Sequence, residues 1–251
     1  MRLLLLSLFV FVSLPTASWA GAWTLAAGRG QIIAEASYSR ARTKFGGDAT
    51  SFEKEFVKTT AEYGISDTVT LFVVPEYVWA SQDDYAARDY SIGGGMRARL
   101  FSDAGVLSLQ ASYLRAGAFA ATVSDRGDSS REFETRLLYG TNFTLFGIAG
   151  FADAEAGWRK ISGSRPDEVV GDGSVGLSTS EDSELLVQSF NIVSAGRAAA
   201  PFAAYRLHKV ALSAVDRISE HWSLQSGGFF SYAGRNVVAE RGFFVALWMD
   251  F

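Results

Sequence analysis

The chain contains no cysteine, which excludes a disulfide framework and any thiolate metal site. It must therefore hold itself by packing or by backbone pairing. Neither sign of charge dominates: 23 Lys+Arg stand against 27 Asp+Glu, and no basic stripe could track a phosphate backbone. Nucleic acid is not expected as a partner. Proline is scarce, at 4 residues, and histidine is limited to His208 and His221. Beyond the first residues, no apolar run is long enough for a membrane helix. If the protein spans a membrane, only a closed barrel can do so, because lipid offers no partner to an open strand edge.

The long apolar run that does exist is at the start. Arg2 precedes "LLLLSLFVFVSL" and "PTASWA", with small Ser18 and Ala20 at the −3 and −1 positions of a cleavage site. This is the pattern of a secretory signal peptide. It assigns residues 1–20 to a signal peptide read by the Sec pathway and 21–251 to the mature domain, which begins at Gly21.

Aromatic residues make up 14% of the chain and glycine contributes 25 residues, a balance that suits strands better than helices. The end of the chain, "FFVALWMDF", shows how they are used. Phe243, Val245, Leu247, Met249 and Phe251 alternate with a mixed set, the period of a strand with one greasy face. Similar segments recur at about nineteen-residue intervals, a strand of roughly ten residues plus a connection. Twelve are expected, near 30–41, 51–63, 68–80, 90–101, 105–116, 131–143, 148–160, 167–178, 184–195, 204–215, 221–232 and 239–251. In the tenth the alternation reads in either register, with Val210 and Leu212 preferred outward.

Connections after even-numbered segments are short ("GISDT", "SDA", "TLFG", "TSEDS", "RISE"), whereas others, such as "SQDDYAARD" and "GAFAATVSDRGDSS", are longer and polar. Aromatic residues gather toward both ends of the segments: Tyr77, Trp79, Tyr90, Tyr113, Trp158 and Tyr232 at the long-loop side, Tyr63, Phe143, Trp222 and Phe251 at the other. Unequal loops and two aromatic girdles predict an all-β, single-domain, closed antiparallel transmembrane barrel of about 12 strands in a Gram-negative outer membrane, with both termini on the periplasmic rim. A secreted β-sandwich also alternates, but does not call for girdles or unequal rims. Outer-membrane lipids are then partners, as is the barrel-assembly machinery, through the last strand and Phe251. Pro75 interrupts one strand, and a bulge is the expected accommodation.

Inward positions carry the chemistry. By alternation they include Glu35, Glu62, Glu76, Glu134, Asp153, Glu155 and Asp172, with Lys58, Arg97, Arg99, Arg136, Arg159 and Lys209. Charges inside a tube need partners, so ladders of carboxylate–arginine pairs are expected. The candidate constriction is Glu76, Arg97, Arg99, Glu134, Arg136, Asp153 and Glu155. Phe72, Phe151, Phe229, Phe244 and Trp248 also point inward. A narrow path for a small, aromatic or amphiphilic solute fits this lining, and so does a shut tube with a structural role. No cofactor or metal is expected. Catalysis has little support: His208 has no serine two residues on, the pairing that a lipid-facing hydrolase would use, and His221 falls in a turn.

The stretches "GAWTLAAGRGQIIAEASYSRA" and "AEYGISDTVTLFVVPEY" resemble bacterial outer-membrane proteins of the phenol meta-pathway type, which share a W-T-L…G entry and a Y-G-I/L-[ST]-D-x-[LV]-T-L turn. Here the turn runs from Tyr63 to Leu71, with Gly64 ending one strand and Asp67 turning the chain. The resemblance covers about a fifth of the chain. It implies a barrel that passes small, often aromatic compounds, and it assigns no functional residues.

Overall fold

The computed structural model describes residues 21–45, 49–115, 131–163, 165–196 and 203–251. The expected signal peptide and the "GAFAATVSDRGDSS" connection lie essentially outside them. Twelve strands follow in order: β1 (Gly30–Thr43), β2 (Ala49–Ser66), β3 (Val69–Gln82), β4 (Tyr85–Phe101), β5 (Val106–Arg115), β6 (Arg131–Leu145), β7 (Ile148–Ile161), β8 (Asp167–Ser178), β9 (Ser183–Ala195), β10 (Arg206–Arg217), β11 (Trp222–Arg235) and β12 (Arg241–Asp250). Each pairs antiparallel with its neighbours, and β1 pairs with β12, from Gln31 opposite Asp250 to Arg40 opposite Arg241. The sheet is closed and has no free edge. Phe251 completes the seam, exchanging backbone hydrogen bonds with Gly30 in both directions at 2.8 and 2.9 Å.

Alternation decides which way each side chain faces. On β12, Phe243, Val245 and Leu247 stand outward and exposed, while Phe244, Ala246 and Trp248 are buried in the bore. Leu71, Val73, Leu109, Leu137, Val187 and Leu212 continue the apolar outer belt. Tyr77, Tyr90, Tyr113, Trp158 and Tyr232 ring one end of it, and Tyr63, Trp222 and Phe251 the other. An apolar wall between two aromatic girdles on a closed sheet is the surface of a transmembrane barrel. The alternative of two stacked sheets is thereby excluded.

Two local expectations need correction. The polar "SQDDYAARD" segment is no long loop: β3 and β4 continue to Gln82 and Tyr85 and are joined by a two-residue turn. Asp83 takes a positive φ of 53° there, which aspartate tolerates better than most residues. Its backbone N–H donates to Ser51 O at 2.8 Å, and its carboxylate accepts from Ser51 N at 2.9 Å. Pro75 makes no bulge. It pairs with Ile92 on β4 in unbroken register, and on the β2 side the ladder skips from Lys58–Glu76 to Ala61–Val73 without a shift. Consecutive N–H groups of a strand point to opposite neighbours, so the missing donor interrupts one ladder only.

Candidate functional site

Among the described residues, three polar groups of inward side chains stand out beside smaller pairs such as Lys58 with Glu35. The largest lies on β6, β7 and β8. Arg136 on β6 is the hub: its guanidinium pairs with Glu134, with Glu155 at 3.0 Å and with Asp172. Toward the long-loop rim, Arg159 donates to Glu134 and to Glu168, the latter at 2.7 Å. Arg165 reaches Glu132 at 2.8 Å and Glu168 at 3.4 Å, and the Tyr205 hydroxyl donates to Glu168. Burial and the neighbouring Glu168 carboxylate push the Tyr205 hydroxyl well above its usual range. Carboxylates and guanidiniums alternate here, the arrangement in which charges taken from bulk water offset one another.

The second group lies across the bore near the same rim. Glu240, in the β11–β12 connection, is buried between Lys54 and Lys209 and accepts a hydrogen bond from Ser39 Oγ at 2.5 Å. Burial alone would push its carboxyl up, but the two ammonium groups prevail and hold it well below the ordinary carboxylate range. The pH dependence follows from that sign. A carboxyl whose folded pKa is depressed contributes all its stability above the unfolded value of about 4.3 and loses it as pH falls toward the folded value. Glu240→Gln is therefore expected to lower stability by about 3 kcal/mol at pH 7, with the gap to wild type narrowing below about pH 4. Urea unfolding followed by gel mobility at several pH values checks this; a gap independent of pH would contradict it.

The third group is the least foreseeable from alternation. Residues 21–27 do not hang from the rim. Gly28, at φ 79°, turns the chain ahead of β1, and the segment before it runs back into the bore. Thr24 Oγ1 donates to Asp67 O at 2.9 Å, Leu25 N to Thr70 Oγ1 at 2.8 Å, and Ala27 N to the Asp67 carboxylate at 2.9 Å. Further in, Arg97 Nη1 donates to Trp23 O at 3.0 Å, and Ser108 Oγ donates to Ala22 O. The Trp23 ring meets Phe151 edge-on, with centroids 5.8 Å apart. Two glycines make room. A Cβ at Gly140 would lie 2.6 Å from the Trp23 ring, and one at Gly64 would lie 2.2 Å from Ala26 O. Gly64 thus does not end a strand; it lies within β2 and lets the plug backbone pass. Gly21, the first described residue, lies against Asp153, whose Oδ2 would be 3.3 Å from a Cβ built there.

The predicted site residues accordingly separate. Glu134, Arg136 and Glu155 are joined directly. Arg97 instead pairs with Glu62 at 3.1 Å, donates from Nε to Gln110 Oε1 at 3.1 Å, and holds the plug. Glu76 accepts from Ser91 Oγ at 3.0 Å, six residues along β3 from Thr70, the partner of Arg97, toward the long-loop rim. Asp153 faces the plug tip, and Arg99 points inward below Arg97. Alternation did not single out Trp23, Glu132, Glu168, Arg165, Tyr205 or Glu240: Trp23 and Arg165 lie outside the expected strands, and Tyr205 and Glu240 fall in the expected tenth and twelfth segments, whereas β10 and β12 start only at Arg206 and Arg241. A signal for the plug was available: the W-T-L stretch and the Y-G-I-S-D turn, on which the family resemblance rests, are the two segments that meet in space.

His208 faces outward. Its Nδ1 lies 2.8 Å from Asn191 Oδ1, and Asn191 Nδ2 donates to Ser189 Oγ at 3.0 Å. The hydrogen bond that reaches this serine comes from an amide, which is no base, so the group lacks the nucleophile–base contact that acyl transfer uses. Among the described residues no three or more His, Cys, Asp or Glu side chains are grouped to hold a metal.

No protein-family model matches the sequence, and no curated protein does. Solved structures do. The COG4313 outer membrane channel from Pseudomonas putida F1 superposes with a TM-score of 0.71 at 10% identity, over 93% of this chain and 99% of that one. The translocator domain of the autotransporter NalP from Neisseria meningitidis gives 0.55 at 15% identity, over 90% of each chain. The NanC porin gives 0.52 at 9%, over 87% of this chain and 98% of that one. The fold is that of the outer-membrane β-barrels. At such identities the likeness extends to the architecture, and the bore has to be interpreted from its own residues.

Proposed function

We propose that this protein is an outer-membrane channel for a small solute, with a bore closed at its periplasmic end by its own leading segment. The supporting observation is the plug. It is a single strand of chain held largely by side-chain hydrogen bonds, to Asp67, Thr70, Arg97 and Ser108. Such contacts can exchange for water at a modest net cost of about 1 kcal/mol each. A barrel needs no such removable piece merely to stand, because its closed ladder already satisfies the strands.

The lining indicates the solute class. Trp23, whose carbonyl meets Arg97, packs edge-on against Phe151, and aromatic rings beside a guanidinium suit a compact molecule with an aromatic or apolar body and an anionic group. Export would follow Sec recognition of residues 1–20, with cleavage after Ala20, and assembly would follow recognition of the last strand ending at Phe251. Cleavage there would create an α-ammonium at Gly21, directly against Asp153, and so add an ion pair to the plug tip.

Planar-bilayer recording and liposome uptake of small aromatic acids test the proposal. Gated openings and uptake above that of empty liposomes are expected. Silence in both assays, with the plug present and with it removed, would favour a structural barrel.

A further inference from the structure

The outer wall carries an arrangement that contact with lipid tails does not account for. On β10 and β11, Arg206 lies directly opposite Arg235; on β1 and β12, Arg40 lies directly opposite Arg241. The four strands are consecutive around the barrel, β10–β11–β12–β1. All four arginines are exposed. Among the described residues none of them makes an ion pair. Like charges directly opposite on an antiparallel ladder stand about 4.5–5.5 Å apart at Cβ and destabilise the pair. The flanking cross-strand partners do little to relieve this: Val193 beside Arg206 and Phe230 beside Arg241 are apolar, and only Arg40 has a carboxylate opposite, Glu53.

The height of the row is informative. Toward the bilayer centre, Tyr232 and Phe230 follow the first pair on β11, and Tyr38 and Phe243 follow the second on β1 and β12, with Phe243 59% exposed. These belong to the girdle at the long-loop end, so the arginines sit at headgroup depth. The turns at the opposite rim carry Asp67, Asp103, Glu181, Asp182 and Glu220 instead.

We propose that this row binds the phosphates of a phosphorylated glycolipid of the lipid A class in the outer leaflet. The proposal rests on the outer-membrane placement, long loops outward, given above. A phosphate between the two guanidiniums of a pair accepts hydrogen bonds from both forks and turns their repulsion into shared attraction. The two pairs are separated by two strand spacings around the wall and by about five residues along it, because Arg241 lies opposite Phe230 rather than Arg235, so each pair takes its own phosphate. Acyl chains would then descend along the Phe230, Tyr232 and Phe243 rings.

Native mass spectrometry of the full barrel in detergent, with bis-phosphorylated lipid A or the same lipid dephosphorylated, tests this. Wild type is expected to retain the phosphorylated form at least about tenfold better. Arg206→Gln with Arg235→Gln should weaken that retention about tenfold or more, while Arg217→Gln at the opposite end should leave it intact. In lipid-free detergent the double variant should be at least as heat-resistant as wild type, since it has lost a repulsion, and this separates lipid binding from misfolding. Equal retention of the dephosphorylated lipid, or undiminished retention by the double variant, would overturn the proposal. Neither readout requires the bore to conduct, so the channel can fail or stand independently.

Discussion

Arg136→Ala should lower the stability of the barrel by about 3 kcal/mol or more. One guanidinium serves Glu134, Glu155 and Asp172, and only 14% of its side chain is exposed. Its loss leaves three carboxylates facing one another across the β6–β8 wall, and removing one partner of a buried ion pair strands the others' desolvation cost. Arg159 can still pair with Glu134, so Glu155 and Asp172 carry most of the penalty. Arg136→Lys should recover only part of it, because an ammonium cannot present the planar fork that three acceptors share. Glu155→Gln added to Arg136→Ala should recover more than the two single effects predict. The unfolding midpoint in urea, followed by heat-modifiable gel mobility, measures each. A loss below about 1 kcal/mol for Arg136→Ala would mean that lumen water already screens the cluster to the level of a surface pair.

The second large effect is on conduction. Trp23→Ala, or deletion of residues 21–27 with the leader kept, should convert brief or absent openings into sustained ones. Trp23 supplies the ring that meets Phe151 and lies over Gly140, and its carbonyl occupies Arg97. Alanine keeps the backbone contact to Arg97 and removes the bulk, whereas the deletion removes both and leaves Arg97 paired with Glu62. The deletion should therefore give the larger conductance. Stability should fall by no more than a few kcal/mol, because the plug's hydrogen bonds exchange for water and the plug adds no strand to the closed ladder. Asp153→Asn is a milder version, weakening the tip alone. Unchanged conductance in the deletion variant would show that the bore is shut elsewhere.

The strands were legible because the barrel wall has lipid on one side and a polar bore on the other, and a period of two records that directly. β6 through β9 begin and end within two residues of their expected spans, and Phe243, Val245 and Leu247 face outward as their alternation requires. The inward arginines and carboxylates were legible for the same reason. Their partners were not. Alternation says that Arg97 and Arg136 point in, but the stagger between strands decides that Arg97 meets Glu62 while Arg136 meets Glu155 and Asp172. At "SQDDYAARD", polarity suggested a loop because strands that project beyond the membrane can be polar on both faces.

What the amino-acid order determined unaided was therefore the wall: twelve amphipathic segments, their facing, and the rim at which both ends lie. That information is local, since each residue's neighbours two places away reveal its face. Tertiary structure alone decided how the bore is filled. Trp23 reaches Phe151 and Gly140, Asp67 reaches Ala27, and Glu240 reaches Lys54 and Lys209 only once closure of the sheet brings distant segments within hydrogen-bond reach. Closure is a property of the whole ring of strands, and no periodicity along the chain encodes which connection will fold into the space it encloses.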